Sequence, residues 1–525
     1  MSEAPILKDT TRSTGREALQ KNIQAAMALA EAIRSTLGPK GLDKLLIDDE
    51  GRTLVTNDGV TVLETAKVEH PVAKMMINTS STQDRIAKDG TTSTVILAGE
   101  MLQNAWQLIL QGIHPSTIAR GYRKSEQYLL QCISEIKFDS DEDMKSSVVK
   151  TSLAGKGHSS MQETIARISL DAVQMVADMD STIDISKIKL VSQTGGKVED
   201  SKVFRGLMIP KKRISSDMHK EVNRGKIILI DGGLEKSNVA TDLKLNVTTV
   251  GVLESFRQEE RNMLKRQVDN LVEHGVTVLA CRESIDDEIK NYLSENGIQA
   301  FRRVARSDLN MLARVCDAIL VSSVDNLTSN DLGSFIVSKN TAIEGKDFWI
   351  VEGDGKAATI IAKASTVDVV GEVERCFDDA LGVSVQLIEN GSVVCGGGAS
   401  YVALAKRLRR YAETIPGREQ LAVEAYADAI EVIVRVLAEN AGIDPITALL
   451  DVVAKQTNAD SDYIGIDLST GVPSDMVKLG ILEPEGIVKQ AIIGATEVAI
   501  SILRIDDVLW AKQEMQMPDM PEDEM

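Results

Sequence analysis

Aromatic residues make up only 3% of the 525 positions, and Lys and Arg (59) are outnumbered by Asp and Glu (78). The net charge of -19 argues against a nucleic-acid partner, because neutralising phosphates takes clustered cations and single strands take aromatic stacking platforms. A solvated acidic surface that keeps the chain in solution accounts for the charge more simply. Cysteine is scarce and odd in number: Cys132, Cys281, Cys316, Cys376 and Cys395, with no C-x-x-C pair. Reduced, structural thiols are expected. The five histidines are scattered, none beside a second histidine or a cysteine at ligand spacing, so no structural zinc is expected. There is no run of about 18 uninterrupted apolar residues, so no membrane span is expected. Met1 to Arg12 carries charges and no apolar core, unlike a signal peptide, and a cytoplasmic location is the default expectation.

What is present is a globular composition, 43% hydrophobic and 26% charged, on a chain too long for one core. About three domains are expected from length. The first third reads as helices over Arg16 to Thr36, from near Thr92 to Leu110, and over Ser116 to Ile133, by apolar spacing and by the stops at Gly38-Pro39 and Gly112. The middle reads as strands alternating with helices, an α/β layer. Ile227 to Ile230 and Val276 to Ala280 are strands, with Thr248 to Leu253 a weaker candidate. Ser255 to Glu273 is a helix with Phe256, Met263, Leu264, Val268 and Leu271 inward; Ile285 to Leu293 is a helix and Phe301 to Val304 an extended piece. The last third is helical again over Gly398 to Tyr411, Gln420 to Ala441, Pro445 to Ala454 and Gly486 to Leu503. The tail, Met515 to Met525, is rich in Met, Pro and acids, a composition that favours disorder.

Four separated segments carry candidate chemistry. Thr36-Leu37-Gly38-Pro39-Lys40-Gly41 follows a helix, where glycine lets backbone approach a ligand, or simply caps the helix. Thr56-Asn57-Asp58-Gly59-Val60 by itself is hairpin-turn chemistry. Asp89-Gly90-Thr91-Thr92-Ser93-Thr94 opens an apolar helix whose N-terminus favours anions, with an aspartate able to hold Mg²⁺; an ordinary N-cap is the alternative. It is not a G-x-x-x-x-G-K-S/T loop. Asp378-Asp379 followed by Cys395-Gly396-Gly397-Gly398 pairs carboxylates that could orient a water with a glycine run, or is a helix with surface aspartates and a loop.

In this order and spacing, the set closely resembles the group II chaperonins, the archaeal thermosome and the eukaryotic cytosolic chaperonin. Further matches are Glu69-His70-Pro71-Val72-Ala73-Lys74-Met75, Thr151-Ser152-Leu153-Ala154-Gly155-Lys156-Gly157, Arg418 to Ala422, Asn440-Ala441-Gly442-Ile443-Asp444-Pro445 and Ile502 to Val508. The resemblance covers essentially the whole chain. It implies a multidomain α plus α/β chaperonin fold. A helical equatorial ATP-binding domain would span 1–145 and 402–525, an intermediate hinge domain 146–213 and 366–401, and an α/β apical substrate-binding domain 214–365, with a lid protrusion between Gly233 and about Glu260. It implies an ATP-hydrolysing chaperone that encloses unfolded or partly folded polypeptides, works with other subunits in a double ring, and binds neither nucleic acid nor membrane. ATP and Mg²⁺ are the implied cofactors, with K⁺ a further candidate.

By the same resemblance, Gly38 and Pro39 line the adenine and phosphate side, Asp89 holds Mg²⁺, and Gly90, Thr91, Thr92 and Ser93 form the phosphate loop. Asp58 and Asp379 match the carboxylates that position and activate the attacking water, Lys156 the lysine that senses nucleotide state, and Gly397 and Glu483 the residues at base and ribose. The cavity-facing apical surface corresponds to the helix Ile285 to Leu293 and the segment after it, with Ile289, Tyr292 and Leu293 as candidates and core packing the expected role for at least half of them. Two departures stand out. The family loop reads Gly-Asp-Gly-Thr-Thr where this chain has Lys88 before Asp89, and Tyr401 stands where Glu is usual. They raise the alternative of a divergent, weakly hydrolysing structural or regulatory ring subunit, which intact Asp58, Asp89 and Asp379 oppose.

Overall fold

The structure, a computed structural model, describes residues 10–47, 51, 53–66, 68–177, 182–235, 252–325, 327–343, 345–355 and 357–511. Its contacts divide the chain into two compact units. One joins the residues up to Gln162 with those from Asp378 onward, and the other is Glu163–Phe377.

The first unit is helical because its apolar residues recur at helical spacing. Helix Gly15–Arg34 buries Leu19, Ile23, Ala26, Leu29, Ala30 and Ile33 along one face. Helix Thr91–Leu110 is apolar nearly all round, as a central helix must be, and Pro71–Ala87, Pro115–Ile136, Glu419–Ile430 and Glu485–Leu503 pack around it. Glu485–Leu503 is long and apolar enough to cross a membrane by length and composition, but most of it is buried within this core. The first and last described strands pair: Thr10–Thr14 runs antiparallel to Asp507–Ala511, with Thr10 opposite Ala511 and Thr14 opposite Asp507.

The second unit is built on a sheet in the spatial order Gln299–Phe301, Val276–Cys281, Glu221–Ile230, Gly333–Ile343, Lys346–Glu352, Leu207–Ile209, with Leu320–Val321 beside Glu221–Ile230. Its first three strands pair in parallel, as does Leu320–Val321 with Glu221–Ile230, and the other pairings are antiparallel. Ile227, Ile228, Leu229 and Ile230 are all buried, as a continuous apolar run in a parallel strand should be. Phe301 stacks on Trp349 at 3.8 Å between ring centroids. A smaller sheet orders Ile188–Thr194, Ala358–Ala364 and Lys202–Arg205. All five cysteines are buried and none is in a disulfide.

Several local expectations change. Asn57-Asp58-Gly59 is not a hairpin turn: Asp58 N-caps helix Gly59–Thr65, accepting from Thr61 N at 2.9 Å. The stretch Gln420 to Ala441 is two helices, Glu419–Ile430 and Val432–Asn440, parted at Glu431, whose buried carboxylate is gripped by Arg409 at 2.5 and 2.7 Å. Val252 and Leu253 open helix Val252–Glu273 rather than ending a strand, and the rest of that candidate lies outside the described residues. In this helix Leu264, Val268 and Leu271 face inward, while Met263, one residue off that stripe, is 46% exposed. Phe256's side chain is outside the described set. Ile285 to Leu293 is not one helix but a 3₁₀ turn, Asp287–Ile289, leading into Lys290–Glu295. Ile289 and Leu293 are core residues there and not a presented surface; Tyr292 is half-buried, its hydroxyl donating to Asp269.

Candidate functional site

All four candidate segments converge in the first unit on one cavity of about 560 Å³. Gly38, Pro39, Asp58, Asp89, Gly90, Thr91, Thr92, Ser93, Lys156, Gly397 and Glu483 line it. Asp379 does not line it but reaches it through an ion pair with Lys156, which does.

Local chemistry explains each wall. After helix Gly15–Arg34, Asn440 donates to the carbonyls of Arg34 (3.1 Å) and Leu37 (2.9 Å), so the far-off Asn440 motif clamps the turn before Gly38. Gly38 has φ 82°, and a Cβ there would run into Leu437. Asp58 takes both Thr61 N and Thr61 Oγ1 (2.6 Å) on one oxygen, Oδ2. Gly90, at φ 77°, is the N-cap of Thr91–Leu110 and has no side chain to cap it. The first N–H groups of that long helix therefore stay open to an anion, at its positive end. Asp89 Oδ1 accepts from Gly90 N at 2.7 Å, and Gln83 Nε2 donates to the Asp89 carbonyl at 2.8 Å. On the opposite side, strand Ser392–Cys395 pairs with Leu482–Pro484, setting Glu483 across from Val394 beside the glycine run.

The electrostatics are those of a site crowded with acid. Burial pushes the Asp379 carboxyl up to about 7; Lys156 opposes this while Asp89 and Asp58 add to it. Burial likewise raises Glu483 to about 7, with Asp89 contributing, and raises Asp89, which Lys156 and the Gly90 N–H oppose. Tyr401 is buried, lines the cavity, and its hydroxyl is held well above its ordinary pKa by burial and then by Glu483 and Asp89.

A divalent cation fits this donor set. Asp58 and Asp89 supply hard oxygens, and the Asn57 carbonyl Oδ1, also at this wall, is buried with no hydrogen-bond partner. Among the described residues no three acidic, His or Cys side chains converge to cage a metal alone. A magnesium ion takes one or two carboxylates and completes its shell with phosphates and water, and Asp58 and Asp89 are two such carboxylates at this wall. The open helix N-terminus and the glycine-lined wall fit a nucleotide polyphosphate.

Lys88 stands outside the cavity wall. Its backbone is left-handed, φ 57°, at the C-cap of Pro71–Ala87. Its ammonium lies 3.8 Å from Asp84 rather than pairing with Asp89, and it is not among the cavity-lining residues. Sequence reasoning missed Asp84, whose carboxyl burial raises, with Lys88, Asp58, Glu64 and Lys156 also acting on it. It also missed Asp467 and Ser469, at the turn between strands Ile464–Asp467 and Val472–Asp475. The only signal there was Asp467-Leu468-Ser469-Thr470-Gly471, a turn sequence in which Asp467 accepts from Ser469 N at 2.9 Å.

A family model described as the TCP-1/cpn60 chaperonin family matches residues 29–513. The thermosome subunit of Methanopyrus kandleri is 43% identical over 511 residues, covering 96% of this chain and 93% of its own. A thermosome subunit of Pyrococcus horikoshii is 41% identical over 521 residues, 97% of this chain and 94% of its own. The thermosome subunit beta of Methanothermobacter thermautotrophicus is 41% identical over 515 residues, 97% and 95%. With the cavity built from the expected motifs and the similarity running nearly end to end, this chain belongs to the TCP-1/cpn60 chaperonin family, in its group II branch.

Proposed function

We propose that this chain is a ring subunit of an ATP-driven chaperone that captures unfolded protein in the cytoplasm and encloses it when ATP is hydrolysed. The observation that carries the reading is the Lys156–Asp379 pair standing at a cavity whose other walls are the Gly90–Ser93 helix start, Asp58 and Asp89. Open amides of Thr91, Thr92 and Ser93 would receive phosphate oxygens, and Gly38, Pro39, Gly397 and Glu483 would surround base and ribose. Asp89 would hold magnesium, which when bound neutralises phosphate charge. Asp58 and Asp379 would orient the attacking water. Asp379 suits the base role because a pKa near 7 lies close to working pH. Lys156 would sense the nucleotide, since its ammonium can pair with Asp379 or with phosphate. Catalysis would then be mainly positioning and charge stabilisation.

The proposed organisation is an equatorial domain of 1–145 and 402–525, an intermediate domain of 146–213 and 366–401, and an apical domain of 214–365. The lid is proposed between Gly233 and about Glu260, a stretch of which residues 236–251 lie outside the described residues. Partner subunits in a double ring and unfolded polypeptides are the proposed partners; subunits named alpha and beta among the relatives favour a mixed ring. Magnesium-dependent ATPase of the purified chain, beside electron micrographs of its assembly, tests the reading. A chain that forms rings but hydrolyses no ATP would sink the catalytic part.

A further inference from the structure

Asp379, Gly382 and Gln386 lie at i, i+3 and i+7 on helix Val367–Asn390 and so share a face. Gly382 and Gln386 meet the segment just before the phosphate loop, and Asp379 meets a lysine that lines the same cavity. Asp379 pairs with Lys156. Gln386 Nε2 donates to the carbonyls of Ala87 (3.0 Å) and Ile86 (3.4 Å), the last of helix Pro71–Ala87. Between them, a Cβ added to Gly382 would overlap both Cβ and Cγ of Lys88. The hydrogen atom of Gly382 is all that fits there. Lys88 Cβ is fixed by its backbone, so no rotamer change can clear that overlap. The resembling family has glycine at position 88, so in this chain the side chain at 88 fills the space that glycine leaves at 382.

We infer that Lys88 and Gly382 form a complementary steric pair that sets the height of the Asp379-bearing helix above the phosphate loop. Lys88 is thus a positioning residue, acting through its stem and its left-handed backbone rather than through its charge. The ammonium at Asp84 leaves the stem lying across Gly382. The contact is one helical turn from Asp379, so displacing it displaces the carboxylate. The inference rests on the reading of Asp379 as the residue that orients the attacking water.

The test is a double-mutant cycle on the assembled full-length protein, reading kcat, nucleotide Kd and melting temperature. Gly382→Ala is expected to slow kcat at least about tenfold, in line with the sensitivity of catalysis to misplacement by about 1 Å, and to leave Kd nearly unchanged. It is also expected to lower the melting temperature, although alanine otherwise favours a helix over glycine. Adding Lys88→Gly to Gly382→Ala is expected to return kcat to within about threefold of Lys88→Gly alone, and the melting shifts to be non-additive. A Gly382→Ala protein with normal kcat and a raised melting temperature overturns the inference. So does a double variant as slow as Gly382→Ala. If Gly382→Ala does not assemble, assembly of the double variant supports the pair and its failure overturns it. If the wild-type chain hydrolyses no ATP, the catalytic reading fails separately, and additive melting shifts then decide against the contact.

Discussion

Glu483→Gln isolates the cost of keeping a carboxylate inside the cavity. Burial, with Asp89 nearby, moves this carboxyl from an ordinary 4.5 to about 7. Each tenfold in proton affinity is worth about 1.4 kcal/mol, so ionising Glu483 in the folded chain costs roughly 3 kcal/mol more than in the unfolded one. Because the folded pKa is raised, the folded state binds more protons between about 4.5 and 7. Stability from this group is therefore intact below about 4.5 and is lost as pH rises through about 7. Glutamine cannot titrate. The variant is expected to match the wild type near pH 4.5 and to exceed it by up to roughly 3 kcal/mol at pH 8. For a unit of about 300 residues this is a melting shift of roughly 5 °C. Differential scanning fluorimetry of both proteins without nucleotide, from pH 4.5 to 8.5, measures the divergence. Parallel profiles would refute the argument, and a variant less stable at pH 8 would show that Glu483 is held by a favourable partner.

Other consequences are equally direct. Asp379→Ala is expected to bind ATP nearly as well as the wild type and to hydrolyse it at least about a hundredfold more slowly in single turnover; full activity would remove Asp379 from the chemistry. Because Asp379 must be ionised to take a proton, kcat is expected to rise with pH up to about 7 and then level, and a rate that falls over that range would contradict the assignment. Met101, fully buried in the central helix, is expected to cost about 2–5 kcal/mol as Met101→Ala, read by denaturant unfolding, without moving the pKa of the rate profile. Deleting residues 238–252 is expected to spare ring assembly and ATPase and to leave enclosed substrate open to protease; protected substrate would move the lid elsewhere. Lys88→Gly is expected to leave the Mg²⁺ dependence of hydrolysis unchanged, since the ammonium sits at Asp84, and a lowered Mg²⁺ requirement would show that it acts at the metal.

Helices were legible wherever one face was apolar and a Gly or Pro ended the pattern: Gly15–Arg34, Thr91–Leu110 and Glu485–Leu503 fall within a residue or two of their sequence signals. The central strand run Ile227 to Ile230 was legible for the same reason, since a stretch buried on both faces must be apolar throughout. Chemistry-bearing segments could be picked out by composition, but each one alone had an ordinary explanation. Periodicity reports only which side of an element is dry. It does not say that Lys156 meets Asp379, 223 positions away, or that Asn440 clamps the turn before Gly38. Packing of the helices decided those meetings, because a contact across hundreds of residues leaves no local trace. Packing also decided the acidities. The same Glu and Asp side chains titrate ordinarily in water, and only removal from water beside other carboxylates lifts Glu483 and Asp379 to about 7. Asn-Asp-Gly read as a hairpin turn because turns and helix N-caps use the same side-chain acceptors, and the helix that follows makes Asp58 a cap. Lys88 shows the division most sharply: the sequence marks it as unusual before Asp89, and only the tertiary fold, by laying its stem across Gly382, decides what it does.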